Sequence, residues 1–133
     1  METMKKYAQV TTTTLPILNV TFTGETANDE NFPFYMQEIK QVYEQKNKIA
    51  IIFDATEAVF PALKYQKMQG TWLKENEALM QQYCLGTAYV IPKALIRTVL
   101  KTIFTFQKQP VPFTVCKTLE EAQTWVDNQI KSN

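Results

Sequence analysis

The chain contains no histidine. That removes the usual general base near neutral pH, the Ser-His and Cys-His nucleophile pairs, and the commonest zinc ligand. Arg97 is the only arginine, so a cluster of guanidinium groups clamping a phosphate is excluded. Gly24, Gly70 and Gly86 are the only glycines, too scattered for a P-loop or a dinucleotide fingerprint. Cys84 and Cys116 lie far apart, each in an apolar run. They read as buried free thiols acting as small hydrophobes, with a disulfide or a reactive thiol as the alternatives. No apolar run is long enough to cross a bilayer, and the start, Met1-Glu-Thr-Met-Lys-Lys6, lacks the apolar core of a signal peptide. The expected location is the cytoplasm. No catalytic constellation, metal site or cofactor site is expected, so the chain reads as a non-enzyme.

What is present is an ordinary folding composition. The chain has 133 residues, 45% of them apolar and 20% charged. One domain spanning residues 1–133 is expected, with enough apolar surface to fold. A formal net charge of +1 predicts no general attraction to nucleic acid.

The most informative stretch is Lys48-Ile-Ala-Ile-Ile-Phe-Asp-Ala-Thr56. An unbroken apolar run between a lysine and an Asp-Ala-Thr end is the pattern of a central strand covered by helices on both faces. In open α/β sheets, binding sites gather at the C-terminal ends of such strands. Upstream, residues 7–12 and 17–23 read as two strands joined by a turn at 13–16. In the second, Leu18, Val20 and Phe22 point one way, and Ile17, Asn19, Thr21 and Thr23 the other, as on a sheet flank. The four consecutive threonines, Thr11 to Thr14, read as edge-strand material.

Pro33 suits the first turn of a helix whose buried stripe is Phe32, Tyr35, Ile39 and Val42. A longer helix is expected over 62–82, with Tyr65, Met68, Trp72, Leu79 and Tyr83 on one stripe and Asn76 as its polar member. Residues 84–91 read as a strand, 92–106 as a helix opened by Pro92, and 113–116 as a short last strand. Thr118-Leu-Glu-Glu121 is a capping box. It starts a final helix with Leu119, Ala122, Val126 and Ile130 inward and Trp125 at the border. The predicted order is β-β-α-β-α-β-α-β-α. It specifies an α/β domain with a four- to five-stranded, mostly parallel sheet, an antiparallel N-terminal hairpin and about four helices.

Several of these features together resemble the STAS-like family, which includes sulfate-transporter C-terminal domains and anti-sigma-factor antagonists. Small bacterial proteins labelled STAS/CRAL-TRIO-like are more similar still. The matching features are the opening hairpin, Ile49-Ala-Ile-Ile-Phe-Asp-Ala-Thr56, Met68 with Trp72, Gly86-Thr-Ala-Tyr-Val-Ile-Pro92, and the closing Glu-Ala-X-X-Trp at 121–125. The resemblance covers most of the chain and implies the fold and a general habit of regulation or ligand sensing. One departure stands out. Anti-sigma antagonists carry an Asp-Ser-Ser-Gly-type turn with a phosphorylatable serine after the central strand. Here the loop reads Ala55-Thr-Glu-Ala-Val-Phe-Pro61. Its only hydroxyl, Thr56, sits too close to the strand end to match.

Three groups of residues are candidates for function. Asp54 and Thr56 close the central strand. As a phosphoacceptor Asp54 would need a second acidic cluster and a partner lysine, and neither pattern is present. Its plainer reading is a loop carboxylate bonded to backbone amides. Trp72, with Tyr65 and Tyr83, could line a ligand cavity beside the sheet, although aromatic residues at helical spacing are more often core. The third group is a basic shoulder. Residues 78–119 hold five cations and no acid, and Lys93, Arg97 and Lys101 line one side of the 92–106 helix. Leu100 and Phe104 belong to its broad apolar arc. Those five residues form a candidate interface with a protein partner, most simply a second copy, or with an anionic lipid surface. The leading expectation is therefore a non-enzymatic regulatory or interaction module. The alternative is a carrier or sensor of a small apolar ligand or lipid.

Overall fold

The structure is a computed structural model and describes residues 4–59, 61–95, 97, 98, 102 and 109–132. Its strands are β1 (Ala8–Thr11), β2 (Ile17–Phe22), β3 (Ile49–Asp54), β4 (Cys84–Val90) and β5 (Phe113–Cys116), which pair in that order in one sheet. β1 runs antiparallel to β2, and every other pairing is parallel. Helices α1 (Asn31–Tyr43), α2 (Leu63–Glu75), α3 (Glu77–Tyr83) and α4 (Leu119–Lys131) complete the described elements. Ala94, Leu95, Arg97, Thr98 and Thr102 are also helical, within the stretch expected to follow Pro92.

The alternation along β3 organises the molecule. Ile49 and Ile51 join a large core with β1, β2, α1, α2 and α3. Ala50 and Ile52 join a second, smaller core with Ala88, Val90, Ala122 and Val126. Ile49, Ala50, Ile51 and Ile52 are each no more than 1% exposed, so this strand is sandwiched. Successive side chains of a strand point to opposite faces, so one unbroken apolar run feeds both cores. At the flank, Leu18 and Val20 are buried while Thr21 on the other face is exposed.

The two cores are built from residues of different size. On the α4 side, Ala50 and Ala88 pack with Ala122 and Val126, Gly86 faces Trp125 and Gln129, and the helix lies close against β3, β4 and β5. A side chain at Gly86 would put its Cβ 2.7 Å from one Trp125 ring carbon and 2.9 Å from another. On the other side, Tyr7, Phe32, Tyr35 and Tyr43 fill the space between sheet and helices.

Three expectations need correction. The helix expected over 62–82 is two helices that meet at Asn76. The Asn76 side chain donates to the Trp72 carbonyl at 2.9 Å, and its backbone leaves helical dihedrals at φ −108°, ψ 15°. A short amide side chain that competes for the backbone in this way bends a helix. The bend also rotates the buried stripe. Tyr65, Gln66, Gly70, Leu73 and Met80 are its buried members, while Met68, Trp72, Leu79 and Tyr83 are half-buried. Next, Leu119 is 50% exposed, not inward. It is the first residue of α4, ahead of the turn that reaches the sheet, and Ala122 and Val126 carry the contact. Finally, only Thr11 of the threonine run lies in a strand. Thr14 closes the turn, its hydroxyl donating to the Ile17 carbonyl at 2.8 Å and accepting from the Asn19 amide at 2.8 Å. The capping expectation at Thr118 holds on one side: its hydroxyl accepts from the Glu121 N–H at 3.2 Å.

The close approach at Gly86 gives a direct test. Gly86→Ala should destabilise the fold by about 1–3 kcal/mol, the usual cost of overpacking a filled site. In a Trp125→Leu background the same change should cost at least 0.5 kcal/mol less, on the order expected for residues in contact. Urea unfolding of the four proteins measures both numbers, and strict additivity would contradict the contact.

Candidate functional site

A row of aromatic rings crosses the sheet, with Phe22, Phe53 and Tyr89 at the C-terminal ends of β2, β3 and β4 and Phe113 at the start of β5. Phe53 and Tyr89 are register partners on β3 and β4, and their rings stack at 5.0 Å with an interplanar angle of 8°. Phe22 of β2 extends the row at 6.4 Å from Phe53, and Phe113 of β5 meets Tyr89 edge-on at 6.4 Å. Phe53 and Tyr89 lie side by side because they are register partners, and Phe22 and Phe113, each two residues out of register on the same face, reach them diagonally to continue the floor.

Above this floor lies a cavity of about 110 Å³. α1 contributes Tyr35, Ile39 and Tyr43; α2 contributes Tyr65, Gln69 and Trp72; α3 contributes Met80. The loop after β3 closes one end with Ala58, Val59 and Pro61. Nine aromatic side chains line the space, and among the described residues no lining side chain carries a charge. Val59, 36% exposed, and the half-buried Gln69, Phe53 and Tyr89 mark the end nearer solvent. Tyr43 is 0% exposed and marks the inner end.

Several polar side chains around the cavity are fixed by hydrogen bonds. Gln66 donates to the Pro61 carbonyl at 2.8 Å and fixes the loop end. Asn31, buried at the start of α1, donates to the Lys5 and Thr26 carbonyls and accepts from the Asn28 N–H. Among the described lining residues, Tyr43 is the one with a fully buried polar atom that lacks a partner. Its hydroxyl lies beside the Cys84 thiol but makes no hydrogen bond of acceptable geometry. The Cys84 thiol itself is directed at the Gly86 carbonyl, 3.5 Å away. Burial pushes the Tyr7 hydroxyl up to about 12 and raises Tyr35, Tyr43 and Tyr89 as well, so all four stay neutral at physiological pH.

Tyr65 is held from outside. Asp29, in the loop before α1, accepts from the Tyr65 hydroxyl at 2.8 Å and from the Lys64 ammonium at 2.6 Å. This contact ties the first turn of α2 to the entry of α1, across one corner of the cavity. The hydrogen bond from Lys64 lowers the Asp29 carboxyl below its ordinary range, with Tyr65 as the next cause.

The other residues singled out in the sequence fall as follows. Asp54 accepts from the Thr56 N–H at 3.1 Å and from the Thr56 hydroxyl at 2.6 Å. The pair forms a tight turn at the strand end, where Asp54 is half-buried and Thr56 exposed. Trp72 and Tyr65 line the cavity, and Tyr83 packs against the same core without lining it. Lys93 is exposed; Arg97 is half-buried and donates to the Ile91 carbonyl at 3.1 Å, just beyond β4. Leu100, Lys101 and Phe104 lie outside the described residues. Cys84 and Cys116 are buried and unpaired, and burial raises both thiols, which leaves little thiolate to act as a nucleophile. No group of three or more His, Cys, Asp or Glu side chains converges to hold a metal among the described residues. None of the described helices is long and apolar enough to cross a membrane.

No family model matches the chain. No curated protein matches it significantly either. Among solved structures it is similar to the crystal structure of an anti-sigma factor antagonist from Mycobacterium paratuberculosis. The match covers 90% of this chain and 92% of that one, at 17% identity and a TM-score of 0.58. The chain has a STAS-like fold. Five strands with an antiparallel first pair, parallel pairing thereafter and helices on both faces agree with it. In this STAS-like domain the cavity lies on the face away from α4, beneath α1 and α2.

Sequence reasoning missed Phe22, Phe53, Tyr89 and Tyr43 as members of the site. The signal for the first three was present: an aromatic residue at or next to the last position of three successive strands. Tyr43 had no such signal, because its lack of a partner is a tertiary property.

The Asp29 contact should be visible in pH. Its folded carboxyl titrates below the unfolded one, so the stabilisation is present above the ordinary carboxylate range and disappears as pH falls through the folded value. Asp29→Ala should therefore lower Tm slightly at pH 7, less so at 1 M salt, with the difference shrinking as pH falls through the folded titration. A Tm difference that does not shrink with falling pH would mean that Asp29 acts through something other than its charge.

Proposed function

We propose that this protein is a non-enzymatic regulatory module that works by binding, with a small apolar molecule in the aromatic cavity as its input and a protein partner as its output. The observation that carries the reading is the cavity itself: about 110 Å³, lined by nine aromatic side chains and by no charged one among the described residues. Ligand sites are concave, mostly apolar and largely pre-formed, and in parallel α/β sheets they gather at the C-terminal strand ends. Phe53, Tyr89, Ala58 and Val59 stand at that end. The two buried thiols fit a reducing compartment, and we place the protein in the cytoplasm.

The protein-partner half of the reading is supported by the structural neighbour, described as an anti-sigma factor antagonist. The Asp54–Thr56 turn lacks the serine-containing sequence of such antagonists, so a different input is required here, and occupancy of the cavity supplies one. Lys93 and Arg97 are the described members of the basic surface we assign to a partner, and Leu95, 65% exposed, stands between them. A second copy of the chain is its simplest occupant.

Thermal unfolding with small uncharged apolar compounds tests the input. A compound present at tenfold its Kd should raise Tm by roughly 4–8 °C. Native mass spectrometry of protein purified without denaturation should show a retained small molecule in part of the population. The reading fails if no apolar compound raises Tm and every preparation has only the 15.4 kDa mass of the bare chain.

A further inference from the structure

The inner end of the cavity is polar in one place. Tyr43 is 0% exposed, it lines the cavity, and its hydroxyl has no hydrogen-bond partner. A buried polar group without a partner is uncommon in folded proteins and calls for an explanation. Ile39 and Met80 of the wall carry no strong acceptor, and the neighbouring Cys84 sulfur, a weak acceptor at best, does not meet the hydroxyl with hydrogen-bonding geometry. At the other end, the stacked Phe53–Tyr89 pair presents ring faces and edges to whatever enters.

We propose that the cavity takes a neutral molecule about one six-membered ring in size, bearing a single hydroxyl or carbonyl oxygen that accepts a hydrogen bond from Tyr43. This rests on the cavity being a ligand site, as proposed above, and specifies which chemistry it selects. Size follows from volume: an engineered apolar cavity of about 150 Å³ holds benzene, so about 110 Å³ admits one ring with modest adjustment of its walls and excludes a long acyl chain or a nucleotide. Neutrality follows from the walls. No described lining residue is charged, so an ammonium or carboxylate would enter low-dielectric surroundings unpaired, at large cost. The aromatic lining favours a planar ring, which can pack edge-to-face against several neighbours at once. The oxygen follows from Tyr43, whose neutral hydroxyl donates at any physiological pH. Selection for a polar handle works because an unmatched partner is left unsatisfied: a ligand without the oxygen leaves Tyr43 as it stands in the empty cavity, and one with it repairs the deficit.

Binding of phenol, benzene and benzoate to the full chain, followed by two-dimensional NMR, tests the proposal. Phenol should bind fastest-saturating of the three, with the largest shifts at Tyr43, Phe53 and Tyr89; benzene should bind about tenfold or more weakly, and benzoate not at all. Tyr43→Phe removes only an unpartnered hydroxyl, so the variant should fold with an unchanged or higher Tm. It should weaken phenol about tenfold and leave benzene unchanged. Equal phenol affinity in Tyr43→Phe and the parent would overturn the role of the hydroxyl while leaving the cavity as a ligand site. Benzoate binding at the same residues would overturn the requirement for neutrality. If none of the three shifts any cavity resonance, the ligand-site reading fails together with this one.

Discussion

The structure depends on one strand having no wet side. β3 is paired on both edges, and its side chains alternate between two cores, Ile49 and Ile51 into one, Ala50 and Ile52 into the other. A polar residue at any of these positions would be buried without water, and a one-residue slip in pairing would exchange the two sets between faces. The size difference between the sets then matters. Alanine, isoleucine and glycine on one side admit α4 to close range. Bulky aromatic residues on the other side are matched by aromatic residues from α1 and α2.

That asymmetry explains why the cavity is where it is. Small residues let a helix settle on a sheet with side chains interdigitated, and the Gly86–Trp125 contact shows how little room is left there. Rings are rigid, and several meeting edge-to-face cannot close every gap between them. Tyr7 alone makes such contacts with Phe22 and Phe32 at 5.4 and 5.2 Å. α2 is held out from the sheet by this layer, while Asp29 and Asn31 fix its edge and the entry of α1 by hydrogen bonds that do not depend on filling the interior. The space is therefore bounded by a frame that stands without an occupant.

How much of this was readable in the sequence follows from how local each feature is. The strands of the sheet and their order were readable, since each carries its own alternation or apolar run, and the last strand, Phe113–Cys116, was placed to the residue. The break at Asn76 was not, because the periodic pattern continues through it and only the bond from its side chain to the Trp72 carbonyl reveals the bend. Trp72 and Tyr65 were visible as aromatic residues on a helix face. Whether they face a filled core or a cavity depends on what stands opposite, which is set by the register of β2, β3 and β4. Leu119 shows the same limit at a helix end, where the period alone does not say when the helix first reaches the sheet. Arg97 looked like part of a basic shoulder, but its guanidinium is engaged with the Ile91 carbonyl, a contact between segments that no spacing rule encodes.

The cavity and Tyr43 are two departures from good packing in one place, and their coincidence is the strongest argument that the place is used. An unfilled space of this size costs about 2–3 kcal/mol by the scaling found for engineered core cavities. A buried hydroxyl left unpaired costs about 1–3 kcal/mol more. Either is a substantial part of a domain's stability, which is typically about 5–15 kcal/mol. Each has a simple remedy in sequence space, a larger residue at Ala58 or Ile39 for the first and phenylalanine at position 43 for the second. Elsewhere alanine and glycine pack under α4 and the Asn31 side chain is bonded through both its oxygen and its nitrogen, while Glu38 Oε1 and Gln109 Oε1 are buried without a partner but border no such space. Local violations in an otherwise consistent structure are expected at functional sites. A single bound molecule that fills the space and meets the hydroxyl removes both costs at once, so the empty form carries in advance part of the free energy that binding releases.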